Sequence, residues 1–141
     1  MKIRYGFVTN SSSSSFIIAT KKELNKNNAY DFFLEQLNLI LKPNHPIFVD
    51  FVERFASHLF DQLKQDKFKS YNPEKYYEYN YGETDQIEMN KFLARMRDFN
   101  FIYEGSFGSE DFDGISEYFY SYGEELKFDI SNDELKIDRG F

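Results

Sequence analysis

The helical spacing of apolar residues between positions 29 and 99 constrains this chain more than any other feature. From Ala29 to Leu41, the residues Tyr30, Phe33, Leu34, Leu37 and Leu41 recur at intervals of three and four, which predicts an amphipathic helix with Asn28 as its N-cap. Pro43 and Pro46 punctuate the next stretch, and Pro46 suits the first turn of a second helix that runs to about Lys67. Its apolar stripe is Phe48, Phe51, Val52, Phe55, Leu59 and Leu63; phenylalanines at helical spacing read as core rather than as a ligand pocket. A third helix is expected from position 84 or 85 to Phe99, with Asp85 and Glu88 in capping-box spacing and Met89, Phe92, Leu93, Met96 and Phe99 on one face. Its opposite face is basic, and Arg95 and Arg97 are expected to pair with the chain's own acidic C-terminal region in preference to an acidic partner.

Short β-prone runs flank these helices. Residues 2–8 and 16–20 fit a strand pair joined by Thr9, Asn10 and five serines. The serine run admits three readings: a low-complexity loop, a phosphoacceptor cluster, or an anion nest of successive amides and hydroxyls. Residues 101–104, 118–122, 126–130 and 135–138 predict a C-terminal antiparallel sheet, with Ser131, Asn132 and Asp133 turning a hairpin between the last two. Phe128 and Ile130 alternate with Lys127 and Asp129, as a sheet with one wet face requires, while residues 115–122 also admit a short helix. At 141 residues, with 40 Phe, Ile, Leu and Val, the chain has enough apolar content for one folded domain. The expected fold is α+β over residues 1–141: N-terminal β segments with a serine loop (1–20), about three amphipathic helices (28–99) and an acidic C-terminal antiparallel sheet (100–141).

Residues 68–83, FKSYNPEKYYEYNYGE, hold five of the eleven tyrosines. An extended ribbon over 76–81 would set Tyr77, Tyr79 and Tyr81 on one side and Tyr76, Glu78 and Asn80 on the other. Only Lys69 and Lys75 stand against Glu74, Glu78 and Glu83, too few cations for a base-stacking surface. Two readings remain, a protein-contact surface and a strand packed on its own core.

The formal charge is −7 and unevenly spread: residues 1–70 carry +3, residues 71–141 carry −10. An anionic field of that kind repels phosphate backbones and acidic membranes and attracts basic grooves, including those that hold nucleic acid. Neither direct nucleic-acid binding nor membrane binding is expected. With no cysteine there is no disulfide framework, thiolate-held metal or Cys nucleophile. The apolar run after Lys2 and Arg4 stops at Thr9 before a signal-peptide core can form, so the expected location is the cell interior, a host cytoplasm.

The opening stretch MKIRYGFVTNSSSSSFII resembles an N-terminal signature, GFVSNSSSSSF, shared by many small uncharacterised phage and bacterial proteins. It covers about 18 of the 141 residues, with Thr9 where serine is usual. The resemblance implies a phage or mobile-element setting, carries no activity or catalytic residue, and suggests that the opening segment is a common device rather than a site.

Chemical signatures are sparse. Ser109 to Tyr120 resembles a calcium loop at Asp111, Asp113 and Gly114, but Ser109 and Tyr120 stand where the leading acid and the bidentate glutamate belong. Asp111 and Asp113 are thus weak metal candidates, and no cofactor is expected. His45 and His58 lack ligand spacing, and GSFGS at 105–109 is not a nucleophile elbow. The expected function is a phage-derived inhibitor, of anti-CRISPR or anti-restriction type, that blocks the basic groove of a host defence nuclease or other nucleic-acid enzyme. Its expected contact residues are Tyr76, Tyr77, Tyr79, Tyr81, Glu104, Glu110, Asp111, Asp113, Glu117, Glu124 and Glu125. The alternatives are a small Mg²⁺-dependent enzyme acting on a nucleotide or phosphorylated ligand through Asp111, Asp113 and Glu117, and a structural or oligomerising phage component built on the tyrosine face.

Overall fold

Period-two alternation at Phe16, Ile17, Ile18 and Ala19 organises the molecule, because it sends successive side chains to opposite faces of a strand that is apolar on both. The structure, a computed structural model, describes residues 13–41, 51–82, 86–108 and 130–138. Strand β1 (Ser13–Thr20) is followed by helices α1 (Ala29–Leu41), α2 (Phe51–Gln65), α3 (Pro73–Tyr81) and α4 (Gln86–Arg95), and then by β2 (Phe101–Gly108), β3 (Ile130–Ser131) and β4 (Leu135–Asp138). The strands form one antiparallel sheet in the order β2-β1-β4-β3. The expected α+β class is what the chain adopts. Its sheet is shared between the two ends of the sequence rather than confined to the C-terminal part: β1 lies inside it, flanked by β2 and β4.

Each face of β1 builds its own core. Phe16 and Ile18, with Tyr103, Ile130, Leu135 and Ile137, pack against Phe33, Leu37 and Leu41 of α1 and Val52, Phe55, Leu59 and Leu63 of α2. Ile17 and Ala19, with Ile102, pack against Tyr76 and Tyr77 of α3, Phe92 of α4, and Met96 and Phe99 just beyond it. The product is a three-layer arrangement, two helices on each side of one sheet. The helical stripes read from the sequence are therefore core, as expected, with Tyr30, Leu34, Met89 and Leu93 half-buried at their margins. Phe48 lies outside the described residues, as does the side chain of Phe51.

Three boundaries differ from the expectation. Ser13, Ser14 and Ser15 belong to β1 rather than to a loop, paired with Gly108, Phe107 and Ser106; a long facing strand extends the ladder across residues of poor strand propensity. Residues 2–8, Ser11 and Ser12 lie outside the described residues, and with them the rest of the serine-run readings. The N-cap ahead of α1 belongs upstream of Asn28: the Asn25 carboxamide accepts from the amides of Asn27 (2.8 Å) and Asn28 (3.1 Å), while the Asn28 carboxamide is turned back to the Asn25 amide (2.7 Å). Residues 76–81, read as a ribbon, are helix α3. Asn72 caps it, accepting from the Lys75 amide at 2.7 Å, Pro73 fills the first turn, and Gly82 (φ 64°) ends it.

The sheet edge at β2 is closed by neighbours. Ile102 exchanges both backbone hydrogen bonds with Tyr71 (2.7 and 3.1 Å). Four residues on, with the same parity, the Ser106 amide donates to Gln62 Oε1 (3.1 Å) and its carbonyl accepts from His58 Nε2 (2.8 Å). Side chains of α2 thereby stand in for a fifth strand. At the other edge, the predicted hairpin is present: Asn132 Oδ1 accepts from the amides of Glu134 and Leu135 (2.9 Å each), and its Nδ2 donates to buried Gln36 of α1 (2.7 Å).

Candidate functional site

The tyrosines expected to form one contact face are divided by the helix. Helical geometry pairs positions four apart, so Tyr77 and Tyr81 meet at a centroid distance of 4.8 Å. Tyr76 and Tyr77 are turned onto the sheet, 0% and 5% exposed, with their rings 6.0 and 5.5 Å from Phe92. Both are core, and neither belongs to a contact surface. Tyr81 is half-buried. Tyr79 alone of the four is exposed, stacked on Tyr71 at 5.4 Å, and Lys69 lies 5.3 Å above the Tyr71 ring. The hydrogen bond and charge of Tyr71 hold the Lys69 ammonium above its ordinary pKa.

Glu104 is likewise corrected. In register with Ile17, it shares the inner face with α3, is half-buried, and accepts from the Tyr76 hydroxyl at 3.4 Å. Asp138 flanks Ile17 from the other side on the same face, and Arg95 approaches it at 3.9 Å. The internal pairing expected for Arg95 is present. Glu110, Asp111, Asp113, Glu117, Glu124 and Glu125 lie outside the described residues, as does His45. His58 sits at 8% exposure; a carbonyl oxygen only accepts, so its Nε2 carries a proton and donates to Ser106. Among the described residues no three His, Asp or Glu side chains gather as metal ligands, and no helix is long and apolar enough to cross a membrane.

What remains of the expected surface is its charge. The described residues carry 14 carboxylates and 12 Lys and Arg, net −2, interspersed over the helices and turns. Residues 109–129 carry Glu110, Asp111, Asp113, Glu117, Glu124, Glu125 and Asp129 against Lys127, net −6. Gly108, the last residue of β2, pairs with Ser13 at the start of β1, whereas Ile130, the first residue of β3, pairs with Ile137, which lies opposite Ile18.

The sequence reading missed a groove. Asn72, Pro73, Glu74 and Lys75 at the start of α3, with Leu93, Met96, Arg97 and Phe99 at the end of α4, line an open depression of about 370 Å³. The signal available for its α3 side was Asn72-Pro73-Glu74, a cap, a first-turn proline and a first-turn acid; nothing local brings Arg97 beside that helix start. Compared with protein-family models, curated proteins and solved structures, the chain matches none of them.

Proposed function

We propose that this chain is a protein-binding inhibitor whose acidic segment between β2 and β3 occupies the basic groove of a nucleic-acid enzyme and excludes DNA or RNA from it. The observation that carries the reading is the division of charge: the described residues are nearly neutral, at net −2, and a net −6 falls within the 21 residues that join β2 to β3. Carboxylates gathered on one segment raise the rate of encounter with a cationic groove and compete there with phosphates, in a salt-dependent way. The tyrosine contribution narrows to Tyr79, and half-buried Glu104 is engaged by the Tyr76 hydroxyl. The opening-segment resemblance suggests a phage source, so the target class is a host defence nuclease, of the CRISPR or restriction kind, in the cytoplasm.

The experiment is capture of bacterial proteins on the immobilised full chain, followed by displacement of labelled DNA from the captured enzyme. Capture of a nucleic-acid enzyme that falls away as salt rises from about 50 to 500 mM, and is lost when Glu110, Asp111, Asp113, Glu117, Glu124 and Glu125 are replaced by their amides, supports the proposal. Capture indifferent to salt and to the amide variant rejects it.

A further inference from the structure

We propose that α3 and α4 form a hinged flap that lifts from the sheet as a unit while the sheet and the α1–α2 layer stay folded, uncovering Ile17, Ala19 and Ile102. Both ends of the flap are fastened at one place. Ahead of α3, Tyr71 exchanges both backbone hydrogen bonds with Ile102 (2.7 and 3.1 Å). Beyond α4, the Asn100 amide donates to the Thr20 carbonyl (2.9 Å) and the Asn100 Nδ2 donates to the Lys21 carbonyl (3.1 Å). Ile102 lies opposite Ala19, and Thr20 opposite Phe101, so both attachments sit where β1 ends and β2 begins. Movement about them breaks no strand pairing.

Between those attachments the flap is held less firmly than the layer across the sheet. Over its 13 residues α1 buries seven, whereas α3 buries three of nine and α4 one of ten. Helices that short do not persist in water without packing, so lifting them from the sheet frees the amides of both. The polar contacts to the sheet are long, 3.4 Å from the Tyr76 hydroxyl to Glu104 and 3.9 Å from Arg95 to Asp138. Asn80 adds a bias toward opening. It is 0% exposed, one turn from Tyr76 on the inner face of α3; its Nδ2 donates to the Tyr76 carbonyl at 2.8 Å, while its Oδ1 is, among the described residues, the buried side-chain atom with no hydrogen-bond partner. Closure strips that oxygen of water without replacing it, and opening restores the lost hydrogen bonds. In the opposite layer the buried carboxamide is satisfied, Gln36 Oε1 accepting from Asn132 at 2.7 Å. The flap shares no residue with the acidic segment, so it stands or falls independently of the inhibitor proposal.

The test is amide hydrogen exchange of the full chain, followed by NMR in urea concentrations below the unfolding transition. Relative to their intrinsic rates, the Tyr77 and Leu93 amides should exchange about tenfold or more faster than those of Ala19 in β1 and Leu37 in α1, with a smaller dependence on urea. Ile18 faces the α1–α2 core, so Ile18→Val should speed exchange at Ala19 and Leu37 and leave Tyr77 and Leu93 unchanged. Asn80→Leu and Asn80→Ala remove the orphaned oxygen with opposite effects on packing, and at least one should slow Tyr77 and Leu93 about fivefold. Circular dichroism of each variant checks that the fold is intact. A common rate and urea dependence for all four amides, acceleration of all four by Ile18→Val, or slowing in neither Asn80 variant overturns the proposal.

Discussion

Gly105 stands opposite Phe16 in the β1–β2 ladder, and a Cβ placed there would lie 2.5 Å from the ring Cζ and 2.7 Å from Cε2. That ring is 1% exposed and packed in the α1–α2 core, so it has no room to yield. Gly105→Ala should lower the unfolding free energy by about 1–3 kcal/mol, measured by urea denaturation. Tyr103 is a second residue whose role comes from burial. Its hydroxyl accepts from the Leu24 amide at 2.8 Å, tying the turn after β1 to the core, and burial pushes its phenol above the ordinary value, against the opposing effect of hydrogen bonds with Leu24 and Ser70. In the unfolded chain the phenol ionises near pH 10, while in the folded chain it stays neutral to higher pH. Its contribution is therefore complete below about pH 10 and is lost as pH rises through the folded value. Tyr103→Phe should cost about 1–2 kcal/mol at pH 7 and flatten the fall in stability above pH 10, read from denaturation midpoints across pH 7–11.

At the scale of single elements, α3 shows capping chemistry prevailing over residue preference. Five tyrosines between 71 and 81 favour an extended chain, yet Asn72, Pro73 and Glu74 start a helix, and the sheet accepts Tyr76, Tyr77 and Asn80 on its inner side. Asn72→Ala should destabilise the protein by about 1 kcal/mol and speed amide exchange at Lys75. The edge of β2 makes the complementary point. Gln62→Ala should cost about 1 kcal/mol and selectively raise exchange at the Ser106 amide, while the Ile102 amide, held by Tyr71, keeps its protection. The stripes of α1, α2 and α4 were legible because a period of 3.6 leaves its mark on any amphipathic helix. The α3 surface was misread because five adjacent aromatics carry no clean period, and only a partner face reveals which of them turn inward.

Across the whole molecule, β1 joins the two ends of the chain: its neighbours begin 81 residues downstream at Phe101 and 115 downstream at Leu135. Both cores depend on it, since Phe16 and Ile18 serve one and Ile17 and Ala19 the other. Removing residues 130–141 should strip the β4 edge from β1 along with buried Ile130, Leu135 and Ile137, and should abolish the cooperative thermal transition followed by circular dichroism. The described residues are close to neutral, at net −2, so thermal stability should respond little to salt, whereas the capture proposed for residues 109–129 should be salt-sensitive.

Local pattern alone determined the α+β class, the apolar stripes, the Ser131 to Asp133 hairpin and the concentration of negative charge late in the chain, because each is written in spacing or composition over a few turns. Tertiary structure decided that β1 would lie inside the sheet, that Tyr76, Tyr77 and Glu104 would face inward, and that Lys75 and Arg97 would share a groove. These outcomes depend on which surfaces meet between segments far apart in the chain, from 22 positions for Lys75 and Arg97 to 115 for Thr20 and Leu135, and burial against a distant partner has no local signature.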